Sequence, residues 1–341
     1  MRYLASGITA AELWHSSDTR LMPEMQEYAS PQNLTDFWQT SHSNSSFGEA
    51  DAELLEGLAQ PPCLLAAEKR QIHGRTCIDS HTWGDLTLLP EGSIRRGKGD
   101  VLVASPELTL ATLGRTHTPL ELGLFASELC GLYTLPKDSK EGIIQCKPCT
   151  SKAQIAQFVE EMQGRDGIKT LRKALDWTVD RAASPREVQL ALLLGASSHR
   201  RGFGLPMPEL NKDVPLAGAA RRFTSRSFYS CDLYWPEYDV ALEYQSDRYH
   251  KNRQLTDAVK FNALQAMGIS LVTVTWSQLR SFAEMCKVAN VLRELMGIRY
   301  RKPREGAVQR REALHQRLVF GPTLFDPSDE AEMDTWLNSE R

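Results

Sequence analysis

The sequence predicts an α/β protein, in which a C-terminal unit with the element order α-β-β-α-β-α follows a smaller α+β domain. After residue 183, helix-capping signals alternate with short apolar runs of strand length, a pattern typical of a mixed sheet between helices. Between residues 61 and 108, four apolar runs follow one another, and three helix patterns come after them. At 341 residues the chain is long enough for two or three domains, each with its own core.

These patterns divide the chain into four segments. Residues 1–60 are a polar N-terminal segment, in which "TAAELW" has the pattern of a short helix. Residues 61–182 are the α+β domain, which ends in helices, and residues 183–298 are the α/β unit. Residues 299–341 are a tail that is first basic and then acidic.

The α+β domain is predicted to begin with strands and to continue with helices. The strand candidates are "CLLAAE", "TCIDSHTW", "LTLLP" and "DVLVASPEL", which Gly, Pro and charged residues separate. The first helix is capped by Thr118, with Pro119 at its first position and Glu121 in the reciprocal place of a capping box. A second helix begins at Ser151, and a third is expected over residues 168–182.

The order of the α/β unit follows from similar signals. "SPREVQLALLLG" predicts a helix capped by Ser184, and "RSFYSCDLYW" and "YDVALEYQ" predict two neighbouring strands. "QLTDAVKFNALQAMG" predicts an amphipathic helix that ends at Gly268. The apolar run "ISLVTVTW" is typical of a strand inside a sheet that is covered on both faces. One last helix, capped by Ser277, is expected after it.

Each of the two neighbouring strands carries an acid. If their turn is centred between Glu237 and Tyr238, Asp232 lies opposite Glu243. Directly opposed residues have Cβ atoms about 4.5–5.5 Å apart, so two like charges there destabilise a sheet. A basic side chain, a shared proton or a bound cation can compensate them, and paired carboxylates are typical ligands of Mg²⁺. A solvated strand face is the alternative interpretation.

Four further side chains are candidates for the same site. Glu187 follows Ser184 by three residues, so it completes a capping box, and it could also reach the two acids. His250 follows the second strand, and Asp257 and Lys260 begin the next helix on neighbouring turns. A surface ion pair is the alternative for Asp257 and Lys260, and a structural or exposed position is the alternative for the histidine.

This arrangement resembles the PD-(D/E)XK nuclease superfamily, and more closely its very-short-patch-repair-like endonuclease branch. The resemblance covers roughly residues 184–280 and depends on the order helix-Glu, strand-Asp, strand-Glu. The positions that match the branch are Asp232, Trp235, Pro236, Glu243, Tyr244, His250, Asp257, Lys260, Leu264, Gly268 and Val272.

The resemblance implies a restriction-endonuclease-like fold and an endonuclease that hydrolyses phosphodiester bonds of DNA. Asp232 and Glu243 would hold Mg²⁺ (or Mn²⁺), and Glu187 would be an outer or third ligand. The implied catalytic residues are Glu187, Asp232, Glu243, Gln245, Lys260 and His250.

Two positions depart from the family pattern. Gln245 stands where the superfamily usually has lysine, and Ser246 stands where the nearer branch has glycine. An amide carries no charge onto a transition state, although it can orient water. Lys251 or Lys260 could supply the missing positive group from the following helix.

Residues 70–182 resemble AbiEi-type antitoxin proteins more weakly, at the strand-to-helix junction "ASPELTL" of residues 104–110. Such proteins begin with a winged helix that regulates transcription, and this sequence shows no such motif. The resemblance implies an alternative function, in which a catalytically inactive nuclease fold binds DNA as a regulator or antitoxin-like protein of a toxin–antitoxin or defence system.

DNA is the expected partner because arginines flank the proposed site. The loop arginines expected to contact the phosphate backbone are Arg200, Arg201, Arg221, Arg222 and Arg226. Ordinary solvated loop charge is the alternative. Residues 299–317 contain seven Lys/Arg against two Glu, which permits further phosphate contact, and the acidic residues 325–341 could engage a protein partner.

Composition predicts a cytoplasmic protein. The net charge of −3 is unremarkable, and the sequence has no secretion signal and no apolar run of 18 residues, so no membrane span is expected. Seven cysteines, an odd number, favour free thiols in a reducing compartment. Cys146 and Cys149 form one "CKPC", but a structural zinc site would need a second such pair or well-spaced histidines.

Overall fold

The computed structural model describes residues 3–15, 27–31, 62–66, 79–97, 101–135, 143–245, 250–300 and 304–321, with the backbone alone for 250–256. The chain divides into two compact units, an N-terminal unit (Met1–Asp180) and a C-terminal unit (Arg181–Arg341). Both combine helices with sheets, so the protein belongs to the mixed α/β class. Within the described ranges, no helix is long and apolar enough to cross a membrane.

The N-terminal unit consists of short strands followed by helices. In chain order its elements are β1 (Tyr3–Ala5), α1 (Gly7–His15), β2 (Cys63–Ala66), β3 (Asp79–Thr82), β4 (Ile94–Arg96), β5 (Val101–Ala104), α2 (Pro106–Leu113), α3 (Pro119–Leu129), β6 (Tyr133–Thr134), β7 (Ile144–Gln145), α4 (Lys152–Glu161) and α5 (Ile168–Ala174).

The main sheet of this unit has the strand order β3-β2-β1-β5-β4. β1 pairs with β5 in parallel and with β2 in antiparallel orientation, so the beginning of the chain lies at the centre of the sheet. Leu4 and Ala5 are fully buried there. The sequence analysis assigns residues 1–60 to a separate polar segment, whereas the structure builds β1 and α1 into this unit.

Several local signals of the N-terminal unit are confirmed. β5 ends at Ala104 and α2 begins at Pro106, with the Ser105 hydroxyl accepting the Leu108 N–H at 3.3 Å. The capping box of α3 is present, because the Glu121 carboxylate accepts the Thr118 N–H at 2.9 Å. The helix expected at "TAAELW" lies within α1.

Two expectations for this unit are wrong. The run "LTLLP" is a 3₁₀ turn (Leu86–Leu88) instead of a strand, because the Asp85 carboxylate accepts the Thr87 N–H and starts a turn. The third helix ends at Ala174 and a 3₁₀ turn (Leu175–Trp177) instead of Ala182. Beyond that turn the Val179 N–H donates to the Ser127 hydroxyl of α3 instead of to a carbonyl of its own helix, so the helix does not continue.

The C-terminal unit has the order α-β-β-β-α-β followed by three helices. Its elements are α6 (Pro185–Gly195), β8 (Glu209–Pro215), β9 (Phe228–Trp235), β10 (Val240–Gln245), α7 (His250–Gln265), β11 (Ser270–Thr275), α8 (Trp276–Leu279), α9 (Phe282–Leu295) and α10 (Ala307–Phe320).

One mixed sheet with the order β11-β10-β9-β8 organises this unit. β9 is antiparallel to both β8 and β10, and β10 is parallel to β11. β8 is an additional strand that the sequence analysis does not predict. β11 is an edge strand among the described residues, and within it Val274 alone is fully buried, so the expected interior position is wrong. A strand at the edge lacks a neighbour on one side and therefore stays partly accessible.

The C-terminal helices also differ from expectation. The last predicted helix begins after Thr275, which is its N-cap, so the expected cap Ser277 lies inside α8 and that expectation is wrong. The helix is broken into α8 and α9, because the Ser281 hydroxyl accepts the Glu284 N–H and caps a new helix. Part of the basic block folds as α10, which packs against α6 and buries Leu314 and Leu318. That block is therefore integral to the unit, whereas the sequence analysis assigns it to a tail. Residues 322–341, with the acidic tail, lie outside the described residues.

Aliphatic and aromatic side chains fix the central strands. Leu233 and Leu242 are opposed in the β9–β10 ladder and are both fully buried. The Trp235 indole is almost completely buried, and its N–H donates to the Pro206 carbonyl at 2.7 Å. This packing sets the register of β9 against β10, because a slip of one residue would turn buried side chains outward.

We expect Leu242→Ala to destabilise the C-terminal unit by about 2–5 kcal/mol, since it removes a fully buried side chain and leaves a cavity. The matched control is Leu295→Ala, because the Leu295 side chain is 43% exposed. Hydrogen exchange of β9–β11 amides, read by mass spectrometry in urea, reports this unit separately. Equal effects of the two substitutions would contradict the assigned core.

Candidate functional site

The two acids of the neighbouring strands face each other as predicted. In the β9–β10 ladder Val240 pairs with Trp235 and Leu242 pairs with Leu233. The next position of the same register sets Glu243 opposite Asp232. The turn between the strands is closed by a 3.1 Å hydrogen bond from the Tyr238 N–H to the Trp235 carbonyl.

The carboxylates bind backbone groups at the point where this ladder ends. The Tyr244 N–H donates to Asp232 Oδ2 at 2.8 Å, and the Asp232 N–H donates to Glu243 Oε1 at 3.3 Å. The side chains of Asp232 and Glu243 therefore link the two strands, because each accepts a backbone N–H of the opposite strand. Both carboxylates are held in fixed positions at the centre of the sheet.

A lysine from the following helix reaches the same pair. Lys260 lies in α7, and its Nζ donates to Glu243 Oε2 at 2.5 Å. The two side chains are only 18% and 16% exposed, so water screens this ion pair weakly. The sequence analysis names Lys260 as a candidate positive group, and the structure brings it to the acid pair.

Glu187 combines its capping role with proximity to the acids. It lies in the first turn of α6, where its carboxylate accepts the Ala183 N–H at 2.7 Å and the Ser184 hydroxyl at 2.8 Å. Its pKa is raised to about 7, first by burial and then by the negative charge of Asp232, so the two acids interact. The capping differs from the expected box, because Glu187 accepts the Ala183 N–H instead of the Ser184 N–H, and of the two acids it interacts with Asp232.

Asn211 is a site residue that the sequence analysis misses. It lies in β8, and its side-chain amide donates to Glu187 Oε2 at 2.5 Å and to the Arg181 carbonyl at 2.8 Å. Its φ of 46° is a left-handed conformation, which asparagine adopts more readily than most residues. An asparagine inside an otherwise ordinary strand was the available signal, but β8 itself was not predicted.

Burial dominates the electrostatics of the cluster. It raises the pKa of Asp232, and the Tyr244 N–H and Lys260 only partly offset it. The pKa of Glu243 is raised to about 7 by burial and by Asp232, against the lowering effect of Lys260. Burial lowers the pKa of Lys260, but Glu243 and Asp232 outweigh it, so the net shift is upward. Asp232 and Glu243 thus share the ammonium group of Lys260.

Of the other predicted catalytic residues, only Gln245 has a described side chain, and the structure does not bring it into the cluster. Gln245 is partly buried and pairs with Thr275 in the β10–β11 ladder, and in the described part of the chain it makes no hydrogen bond to the acids. His250 begins α7, but its side chain lies outside the described residues, as does that of Lys251. Asp257 is exposed.

The five predicted DNA-contacting arginines are all on the surface. Arg200 and Arg201 end a 3₁₀ turn after α6, and Arg221 and Arg222 end another one between β8 and β9. Arg226 lies in the loop that follows the second turn. All five side chains are exposed, which phosphate contact requires and which solvated loop charge would also give.

The described His, Cys, Asp and Glu side chains are the candidate ligands for a metal ion. Within the ranges that the structure describes, no group of three or more His, Cys, Asp and Glu side chains is arranged to enclose a metal ion. Cys130, Cys231 and Cys286 are free thiols in the same ranges. Cys77 lies outside them.

Comparison with known proteins gives two relatives over part of the chain. Both are uncharacterised proteins of Mycobacterium tuberculosis, from strains CDC 1551 / Oshkosh and ATCC 25618 / H37Rv, and each is 28% identical over 132 residues. The alignments cover 38% of this chain and 44% of each relative, so the chain spans less than half the length of either protein. No family model and no solved structure matches.

The raised pKa of Glu243 predicts how stability depends on pH. Because the folded pKa of about 7 lies above the ordinary glutamate pKa of 4.5, this group favours folding below pH 4.5 and loses that effect as pH rises through 7. The stability of the wild type relative to Glu243→Gln should therefore fall between these pH values. Urea denaturation at pH 4.5, 6 and 8 measures it.

Glu237→Gln is the matched control, because it removes an exposed carboxylate from the neighbouring turn and should follow the wild-type curve. A constant difference between wild type and Glu243→Gln across this pH range would show that Glu243 is not held in the buried acid cluster.

Proposed function

We propose that this chain is an endonuclease-like protein that acts on DNA, with Mg²⁺ (or Mn²⁺) held by Asp232 and Glu243 in a restriction-endonuclease-like unit. The observation that supports it most is the convergence of Glu187, Asp232, Glu243 and Lys260 from α6, β9, β10 and α7. A cytoplasmic location suits such a protein, and the free described cysteines agree with it.

The acid pair has the chemistry that Mg²⁺ requires. This ion prefers oxygen ligands and usually keeps several waters, so one or two carboxylates are enough to hold it. Asp232 uses Oδ2 for the Tyr244 N–H, and no described residue donates to its Oδ1. When bound, the ion would polarise the phosphate and lower the pKa of an attacking water.

The other residues of the cluster have separate tasks. Lys260, with its raised pKa, stays protonated and can neutralise negative charge that develops on a phosphate. Glu187, with a pKa of about 7, can hold or release a proton near neutral pH. Asn211 positions Glu187 through its amide.

A second candidate function is a DNA-binding regulator with an inert nuclease fold. Two observations favour it. Lys260 already donates to Glu243 Oε2, so a bound cation is not the only means of compensating the acids. Gln245 brings no positive charge to the position where the superfamily usually has lysine. In this alternative the four buried ionisable groups have a structural role.

Cleavage of plasmid DNA tests the first function directly. We expect nicking that requires Mg²⁺ or Mn²⁺, and a loss of at least about 100-fold in Asp232→Asn and Glu243→Gln, because each removes one ligand charge. Agarose electrophoresis of supercoiled plasmid measures it, with Glu237→Gln as the control that keeps full activity. If the wild-type chain shifts DNA in a gel but no divalent ion permits cutting, the regulator is the better description.

Metal binding can be measured without activity. At pH 8, where the acids are mostly ionised, a divalent ion at 100 times its Kd would stabilise the folded state by about 2.7 kcal/mol. For a unit of this size we expect a rise in Tm of about 5–10 °C, which Asp232→Asn and Glu243→Gln abolish. Differential scanning fluorimetry with Mg²⁺ or Mn²⁺ measures it. An unchanged Tm in the wild type would indicate that Lys260 alone compensates the acids.

A further inference from the structure

The connection between β8 and β9 has an unusual composition. From residue 214 to residue 231 the sequence contains three arginines and no aspartate or glutamate. Two phenylalanines, Phe223 and Phe228, lie among the arginines. We call residues 221–228 the arginine–phenylalanine segment. It bears a net positive charge in a chain whose formal net charge is −3.

The backbone of this segment is anchored at both ends. The Leu216 N–H donates to the Ser227 carbonyl at 2.8 Å, and the Phe223 N–H donates to the Ala220 carbonyl at 3.1 Å. Leu216, Ala220 and Tyr229 are buried in the hydrophobic cluster between the sheet and α7. The segment is therefore held at the surface by buried residues that flank it in the sequence.

The two phenylalanine rings remain at the surface beside this cluster. Phe223 is 47% exposed and Phe228 is 48% exposed, although Tyr229 next to it is buried. A single exposed apolar side chain is ordinary on a soluble protein. Two aromatic rings within six residues, next to three arginines, form a surface with the composition that binds nucleotides.

The arginines of the segment are partly oriented and have no acidic partners. Arg221 donates from Nε to the Leu216 carbonyl at 2.8 Å, which fixes its guanidinium group and leaves its terminal nitrogens for other acceptors. The Arg226 guanidinium lies 5.8 Å from the centre of the Tyr229 ring. In the described part of the chain, none of the three arginines forms an ion pair with a carboxylate.

We propose that the arginine–phenylalanine segment binds unpaired nucleotides of single-stranded DNA, with the Phe223 and Phe228 rings stacked on bases and the arginines on phosphates. This inference rests on the proposed function, because it names the form of DNA that reaches the acid cluster. Phe228 lies four residues before Asp232 on β9, which is about 13 Å along the strand. A bound strand can therefore run from the segment to the acids.

Single-stranded DNA fits this surface better than a duplex or a protein. In a duplex the faces of the bases are covered by their neighbours, so an aromatic ring on the protein surface reaches them only where the strand is unpaired. Three arginines with no intervening acid match a phosphate backbone, which has one negative charge per nucleotide.

Fluorescence anisotropy in EDTA tests the inference without any cleavage. The full-length chain is titrated into a labelled single strand of about 16 nucleotides and into the duplex of the same length. We expect tighter binding to the single strand, and a loss of roughly tenfold for this strand in each of Phe223→Ala and Phe228→Ala. Binding to the duplex should change little.

The controls separate stacking from loss of structure. Phe223→Tyr and Phe228→Tyr keep an aromatic ring and should bind the single strand as the wild type does. Leu295→Ala removes an apolar side chain that is 43% exposed elsewhere in the same unit, and it should have no effect. Arg222→Gln should reduce the slope of log K against log salt by about 0.7, as expected for one lost phosphate contact on a single strand.

The inference is overturned if the wild type binds no single strand, if it prefers the duplex, or if the alanine variants bind the single strand normally. These results are independent of cutting. A stacking-dependent preference in a chain that never cuts DNA supports the inference and removes the endonuclease. If the chain cuts DNA but its alanine variants bind the single strand normally, the endonuclease proposal is supported and the single-strand inference is overturned.

Discussion

The repulsion between Asp232 and Glu243 is the constraint on which the C-terminal unit depends. The packing of Leu233 against Leu242 fixes the strand register, and that register forces the next two side chains, both acidic, to face each other. Burial makes this arrangement costly, since a carboxylate away from water resists ionisation. Three donors limit the cost: the Tyr244 N–H binds Asp232, and the Asp232 N–H and Lys260 bind Glu243.

The cluster is one charge network to which α6, β9, β10 and α7 each contribute a side chain. Glu187 raises the negative charge around Asp232 while it caps α6, so helix capping and site chemistry use the same carboxylate. With three acids and one lysine, the fully ionised cluster carries an excess of negative charge. Such an excess is either reduced by protonation near neutral pH or compensated by a cation. The net charge of the site therefore depends on pH and on the cation concentration.

The surface around this unit differs in character from its interior. Acidic groups are concentrated at the centre of the sheet, whereas the connection between β8 and β9 is basic and aromatic. A polyanion approaching the molecule would be held by the outer arginines and would meet the acids only if a positive ion screens them. The separation of charge thus matches a site that needs both an anionic partner and a cation.

The sequence by itself determined several local features: the capping box of Thr118 and Glu121, the turn between β9 and β10, and the opposition of Asp232 and Glu243, because each depends on spacing over a few residues. It did not determine that "ISLVTVTW" lies at the sheet edge, that β1 lies at the centre of a sheet, or that Asn211 holds Glu187. Those facts depend on which distant segments pack together, and apolar periodicity is the same for an edge strand and an inner one. Gln245 carries no charge, and only the tertiary structure decided that Lys260, from the following helix, brings the positive charge to the acids.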